Sequence, residues 1–287
     1  RVTNLHTMVG LSSRGNYIKK SAEETAKLSG FKFITASTTS VSTSVDLTDD
    51  LLKLYIAIAA DGSIENTDLV RFRLKKQSKI DFVENLLNAL SIPFRKFYRK
   101  DSVVVLNFTL PTELKEWNIK GLDNKLLNCS KNQFDIIVDT YLKTDGTDYQ
   151  TYKAIYTSKK SEYDLLSHLS IIHGYTCSTS IRTPSNDNKS ESYTLYLKPS
   201  QSSSMTCLLK NLSVEDVVNE HFWCIKTKNQ NFFIRRNGKI SLTGNCHGNT
   251  SLHDGYGIQK LPNRFDVGID NSHTWSPFRY DDLLVIL

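Results

Sequence analysis

Apolar and polar positions divide the chain into four stretches. The first, to about Val45, opens on a strand-like run from Arg1 to Val9. Ser12-Ser13-Arg14-Gly15-Asn16 marks a turn, and Ile18 to Ala26 predicts a short helix. Thr35 to Ser44 is mostly Thr, Ser and Ala, which suits a linker or an exposed strand. Thr48 stands where an N-cap belongs, with Asp49 and Asp50 in the first turn, where the helix dipole favours acids. From Leu51 to about Leu197 the pattern runs helix, strands, helix, strands, and then repeats. Lys198 to Ser204 is a loop-rich break. Beyond it, Phe222 to Asn229 and Asn231 to Arg236 read as strands, and Asn237-Gly238 as a tight turn into Lys239 to Thr243.

Composition narrows the class. A length of 287 residues predicts two domains at roughly 150 residues each. Hydrophobic residues make up 39%, with 13 Phe, 13 Tyr and 3 Trp, too many for wholesale disorder. No run approaches the ~18 consecutive apolar residues of a membrane-spanning helix, so no membrane partner is expected. Cys129, Cys177, Cys207, Cys224 and Cys246 form no CxxC pair and leave an odd count. That argues against a zinc ribbon or a secreted disulfide scaffold and for a reducing, cytoplasmic setting. Arg1 in place of Met, with no signal-peptide pattern behind it, predicts a fragment of a longer reading frame.

One pattern occurs twice. Leu54 to Asp61-Gly62 is an apolar, alanine-rich run stopped by an acid and a glycine, and Val138 to Asp145-Gly146 ends in the same way 84 residues later. The copies stay in register, because Lys75-Lys76 and Lys159-Lys160 each begin 14 residues after their acid. A period of 84 is too long for a solenoid and suits two similar halves facing each other across a pseudo-two-fold axis. Small Ala57 and Ala60 favour close helix approach, which would bring Asp61 and Asp145 near that axis. Carboxylates so close repel unless a divalent cation neutralises them, and hard oxygen ligands suit Mg²⁺. Such a site activates water and clamps the leaving oxygen of a phosphodiester.

Basic residues follow the first motif. Arg71, Arg73 and Lys75 alternate and so are expected to share a strand face. Between Leu69 and Lys100, nine Lys or Arg stand against Asp81 and Glu84 alone; the whole chain carries only +6. Concentrated charge on a strand face fits the phosphates of double-stranded DNA, with Lys76 as a further contact. A solvated sheet face accounts for any single one of these residues equally well. The paired lysines also suit stabilisation of developing negative charge, with Lys75 or Lys76, and Lys159 or Lys160, in that role.

These motifs resemble the LAGLIDADG, or DOD-type, homing endonucleases. The resemblance implies αββαββα halves joined at the motif helices, with the last acid of each motif, Asp61 and Asp145, on catalytic Mg²⁺. Ile56 stands where the name motif has glycine, and Lys143 and Thr144 depart from it in the second copy.

The flanks resemble the two halves of an intein. Asn231 to Cys246 is similar to the C-terminal splice region, in which a strand leads to Asn followed by Cys, Ser or Thr. The Asn245 side-chain amide would attack its own backbone carbonyl and cut before Cys246, whose thiol accepts an upstream acyl chain as a thioester. The family usually has His before that Asn; here it is Gly244, and Cys224 is a candidate for assisting cyclisation. Thr3 and His6 resemble the Thr-x-x-His motif, whose His polarises and protonates the upstream scissile amide. Inteins begin with Cys or Ser ahead of that motif. The first nucleophile and the upstream extein are therefore expected to be missing from this chain, which should not splice as written. A minority class uses Cys in the place of Cys224 with a Thr like Thr243, but also wants Trp near Met8; the truncated ordinary class is the preferred reading.

Cys246-His247-Gly248-Asn249, Phe265 to Asp270 and Trp275 to Phe278 resemble the last segment of calcineurin-like metallophosphoesterases. Splicing would complete their Gly-His-x-His motif and make His247 a ligand of a divalent transition metal. The expected architecture is α+β: a split all-β Hint splicing domain with an inserted pseudo-two-fold endonuclease. Its parts are residues 1–45 of the splicing domain, an endonuclease over 46–205 with halves at about 46–125 and 126–205, 206–245 completing the splicing domain, and a C-extein fragment over 246–287. A monomer acting on double-stranded DNA is expected. The rival readings are a non-cleaving DNA-binding module with degenerate acids, and a fragment of a metallophosphoesterase.

Overall fold

Mixed helices and antiparallel strands make up the computed structural model, which describes residues 6–28, 30–36, 43–65, 68–183, 191–199, 204–207, 230–236 and 239–244. Two compact units result: Ser37–Gln201, and the flanking segments Arg1–Ala36 with Ser202–Leu287. Thr3, Cys224, Asn245, Cys246 and His247 lie outside the described residues, as do residues 37–42, the strand expected at 222–229, the turn at 237–238 and the whole of 246–287.

The flanking unit opens with β1 (Thr7–Ser12) and β2 (Tyr17–Ser21), joined by the expected turn, where Gly15 has a φ of 83° that glycine adopts without cost. The helix expected over Ile18 to Ala26 divides. Tyr17 to Ser21 pair with β1, and only α1 (Ala22–Ala26) is helical. Ser21 sets that boundary: its hydroxyl accepts from the Glu24 N–H at 3.1 Å while its own N–H donates to the Glu24 carboxylate at 3.0 Å. β3 (Phe31–Ile34) then adds to the other side of β1.

In the second unit, α2 (Asp49–Asp61) starts at Thr48, whose hydroxyl accepts from the Leu51 N–H. It leads into β4 (Gly62–Glu65), β5 (Leu69–Leu74), α3 (Gln77–Ala89), β6 (Phe94–Tyr98) and β7 (Val104–Thr109). Two short 3₁₀ turns, Thr112–Leu114 and Asn124–Asn128, lead to α4 (Lys131–Lys143), capped by Ser130. The series then repeats as β8 (Gly146–Asp148), β9 (Lys153–Thr157), α5 (Lys160–Ile172), β10 (Tyr175–Arg182) and β11 (Ser192–Pro199). The sheets run β4-β5-β7-β6 and β8-β9-β11-β10, so both halves place their strands in the order first, second, fourth, third. Residues Leu54 to Ala59 of α2 are all buried, a helix apolar on every side and therefore interior. It packs on α4, whose Phe134, Ile137, Val138 and Tyr141 are fully buried. Val70, Phe72 and Leu74 of β5 face the core, as do Ile155 of β9 and Leu195 and Leu197 of β11.

The chain returns to the flanking unit as β12 (Ser204–Cys207), which pairs with β3, Ser204 opposite Ile34. β13 (Asn231–Arg236) and β14 (Lys239–Gly244) form an antiparallel pair. Among the described residues no helix is long and apolar enough to cross a membrane.

Candidate metal and nucleic-acid site

The twin motifs end differently. Asp61 is the last residue of α2. Asp145 lies two residues beyond α4, because Thr144 leaves helical geometry and turns its hydroxyl to the Thr140 carbonyl at 3.1 Å. The glycine after each acid answers a steric demand. A Cβ on Gly62 would lie 2.7 Å from the Ile58 carbonyl oxygen, and one on Gly146 would lie 2.8 Å from those of Ala154 and Tyr141. Each strand therefore starts pressed against the last turn of its own helix, which fixes the direction in which the acid leaves.

Both acids point at one cation. Lys79 Nζ donates to Asp61 Oδ2 at 2.7 Å and to Asp145 Oδ1 at 3.2 Å. Burial raises the pKa of Asp145, as does the neighbouring Asp61 charge, with Lys79 opposing both. Burial also works against the charge on Lys79, but hydrogen bonds and charge from the two acids outweigh it and raise its pKa. The donor set is two carboxylates. Mg²⁺ usually takes one or two carboxylates and completes its shell with water and phosphate oxygens, so these residues fit that ion once Lys79 stands aside.

Lys79 was not distinguished in the sequence from its eight basic neighbours. It has one local signal. It occupies the first turn of α3, a turn without an acid, where the helix dipole disfavours a cation. Lys159, expected near the acids, is held elsewhere: its ammonium donates to the Ala59 carbonyl at 2.9 Å and to buried Glu162 at 2.8 Å. It thereby ties the start of α5 to the last turn of α2. Lys75 and Lys76 are exposed. β5 ends at Leu74, so Lys75 lies past the strand and does not extend the face of Arg71 and Arg73; Lys76 is the N-cap of α3.

Arg71 and Arg73 do share the outward face of β5. Both bind Glu65 of β4, and Arg71 Nε also donates to Asn107 Oδ1 at 3.1 Å. Arg71, Arg73 and Asn107, with Phe97, Arg99 and Val105, line an open groove. Glu65 thus neutralises part of the charge and presets both guanidinium groups. The second half presents aromatic hydroxyls in comparable strands, Tyr156 in β9 and Tyr196 in β11, with Tyr149 within 3.3 Å of Tyr156.

In the flanking unit, His6 Nε2 lies 2.6 Å from Thr243 Oγ1, both side chains buried. Burial lowers the His6 pKa and favours neutral imidazole. Gly244 sits where no side chain fits: a Cβ would lie 2.7 Å from the Thr7 side chain and 2.8 Å from its carbonyl oxygen. A histidine here would require the Thr7 segment to shift.

No protein-family model and no curated protein matches the chain. Among solved structures it is similar to full-length DUF199/WhiA from Thermatoga maritima, with 15% identity and a TM-score of 0.39 over 55% of this chain and 54% of that one, so it spans about half of that protein's length. The N-terminal LAGLIDADG domain of DUF199/WhiA gives 14% identity and a TM-score of 0.38 over 52% of this chain and 74% of that one. Variants of the homing endonuclease I-DmoI give 12% and 0.38 over 52% and 88%. Similarities this low describe an arrangement of elements and carry nothing about activity.

Proposed function

We propose that the unit between Ser37 and Gln201 is a metal-dependent endonuclease of double-stranded DNA, inserted in a splicing domain. The observation that carries the first part is the meeting of Asp61 and Asp145, from matching sequence motifs 84 residues apart, at a single cation. A divalent ion bound by these acids would supply Lewis-acid activation of water and stabilise the leaving oxygen. Asp61 and Asp145 hold it, Arg71 and Arg73 take backbone phosphates, and Lys159 fixes the helix end that presents Asp61. With Mg²⁺ and a cleavable duplex selected from a randomised library, Asp61→Asn or Asp145→Asn should abolish double-strand cleavage while leaving binding intact. Wild-type-like cleavage by both variants would overturn the assignment.

A non-cleaving DNA-binding module is the second reading, favoured by Lys79, which already pairs with both acids and offsets part of their charge. On that reading no duplex of the library is cut, while salt-sensitive binding persists.

The splicing function is supported by the 2.6 Å contact of His6 with Thr243, which joins the Thr-x-x-His segment to the strand leading to Asn245. Cyclisation of Asn245 needs only its side chain, its own carbonyl and a held strand. Release of a peptide beginning at Cys246 should stop in Asn245→Ala and continue in Cys246→Ala, as read by mass spectrometry of purified protein. Equal release from Asn245→Ala and the parent would indicate proteolysis instead. For residues 246–287 the proposal is a metallophosphoesterase C-extein with His247 as a ligand after splicing, resting on the sequence resemblance alone.

A further inference from the structure

We infer that Lys79 is a built-in counter-cation that holds the place of the divalent ion in the DNA-free protein, so that metal enters only when Lys79 leaves. The inference rests on the endonuclease reading above. The ammonium is within hydrogen-bond reach of both acids at once, and its side chain is only 17% exposed. The acids hold it there against the dipole of α3, which repels a cation from that turn. One half alone provides the lysine. The 84-residue register puts Tyr163 at the matching position of the second half, and that side chain turns to Thr179 at 2.8 Å and packs on Tyr193. Lys159 is occupied by Ala59 and Glu162. One ammonium therefore faces two carboxylates, and a divalent ion in its place would balance their charge completely. A DNA phosphate gives the displaced ammonium a new partner, so DNA and metal should each tighten binding of the other.

Mn²⁺ binding to the purified full chain without DNA, followed by calorimetry, tests this. Lys79→Met should bind Mn²⁺ at least tenfold more tightly than the wild type. Without metal it should melt at a lower temperature, because two carboxylates are left facing each other, and saturating Mn²⁺ should raise its melting temperature more than that of the wild type. Lys79→Gln, which keeps a hydrogen-bond donor without the charge, is read in the same way if the Met variant does not fold. Equal or weaker Mn²⁺ binding by the variants, with wild-type binding abolished by Asp61→Asn, would overturn the counter-cation and leave the metal site standing. Absence of Mn²⁺ binding from every variant would overturn both.

Discussion

His173 shows how one side chain ties stability to pH. It is buried at the end of α5, with Phe134 stacked on its ring at 5.0 Å and Cys129 Sγ 3.4 Å from Nε2. Burial, assisted by the Lys131 charge, lowers its pKa to about 4, and burial pushes the Cys129 thiol up to about 12, so both are neutral near pH 7. A folded-state value below the ordinary 6.5 means that folding excludes a proton. The contribution is complete above about pH 6.5 and is lost as pH falls toward 4, on the order of 3 kcal/mol. His173→Phe should therefore flatten the decline of the urea midpoint across that window. Parallel declines in variant and wild type would show that His173 does not titrate there. At this scale residue type and repeat spacing single out Asp61 and Asp145 in the sequence, and the structure brings both to one ammonium. The sequence was silent about Lys79, whose role depends on a meeting of α3 with both motif ends.

At the scale of elements, legibility followed competition between local signals. β5 was readable because Val70, Phe72 and Leu74 alternate with Arg71 and Arg73, and the buried and exposed positions follow that alternation. Its end was not readable, because Lys75 continues the alternation while the chain already turns into α3. Ile18-Lys19-Lys20 fits a helix or a strand by composition; pairing with β1 decides for the strand, and the Ser21–Glu24 capping box starts the helix late. The Asp-Gly ends were visible as a repeat. Their steric cause was not, since it lies in backbone oxygens that only the folded turn brings near Gly62 and Gly146.

For the whole molecule the point of insertion matters most. The chain leaves the flanking unit after β3 and returns through β12, and Ile34 and Ser204 are paired neighbours in the same sheet. A segment that departs and returns at adjacent strands can be long without straining its host, because the closure entropy depends on the distance between its ends and grows only slowly with its length. The segment must then supply its own core, and Ser37–Gln201 does so: α2 and α4 pack on each other, and each half has its own sheet and covering helix. Both acids, Lys79, Lys159 and the arginine face belong to this unit. A chain of residues 37–201 alone should thus unfold cooperatively in urea and bind duplex DNA, with affinity falling as salt rises, since phosphate contacts release counterions. Retention of binding by the full chain, but non-cooperative unfolding and loss of salt-sensitive binding in the excised segment, would show that the flanks are needed to complete its core or its binding face.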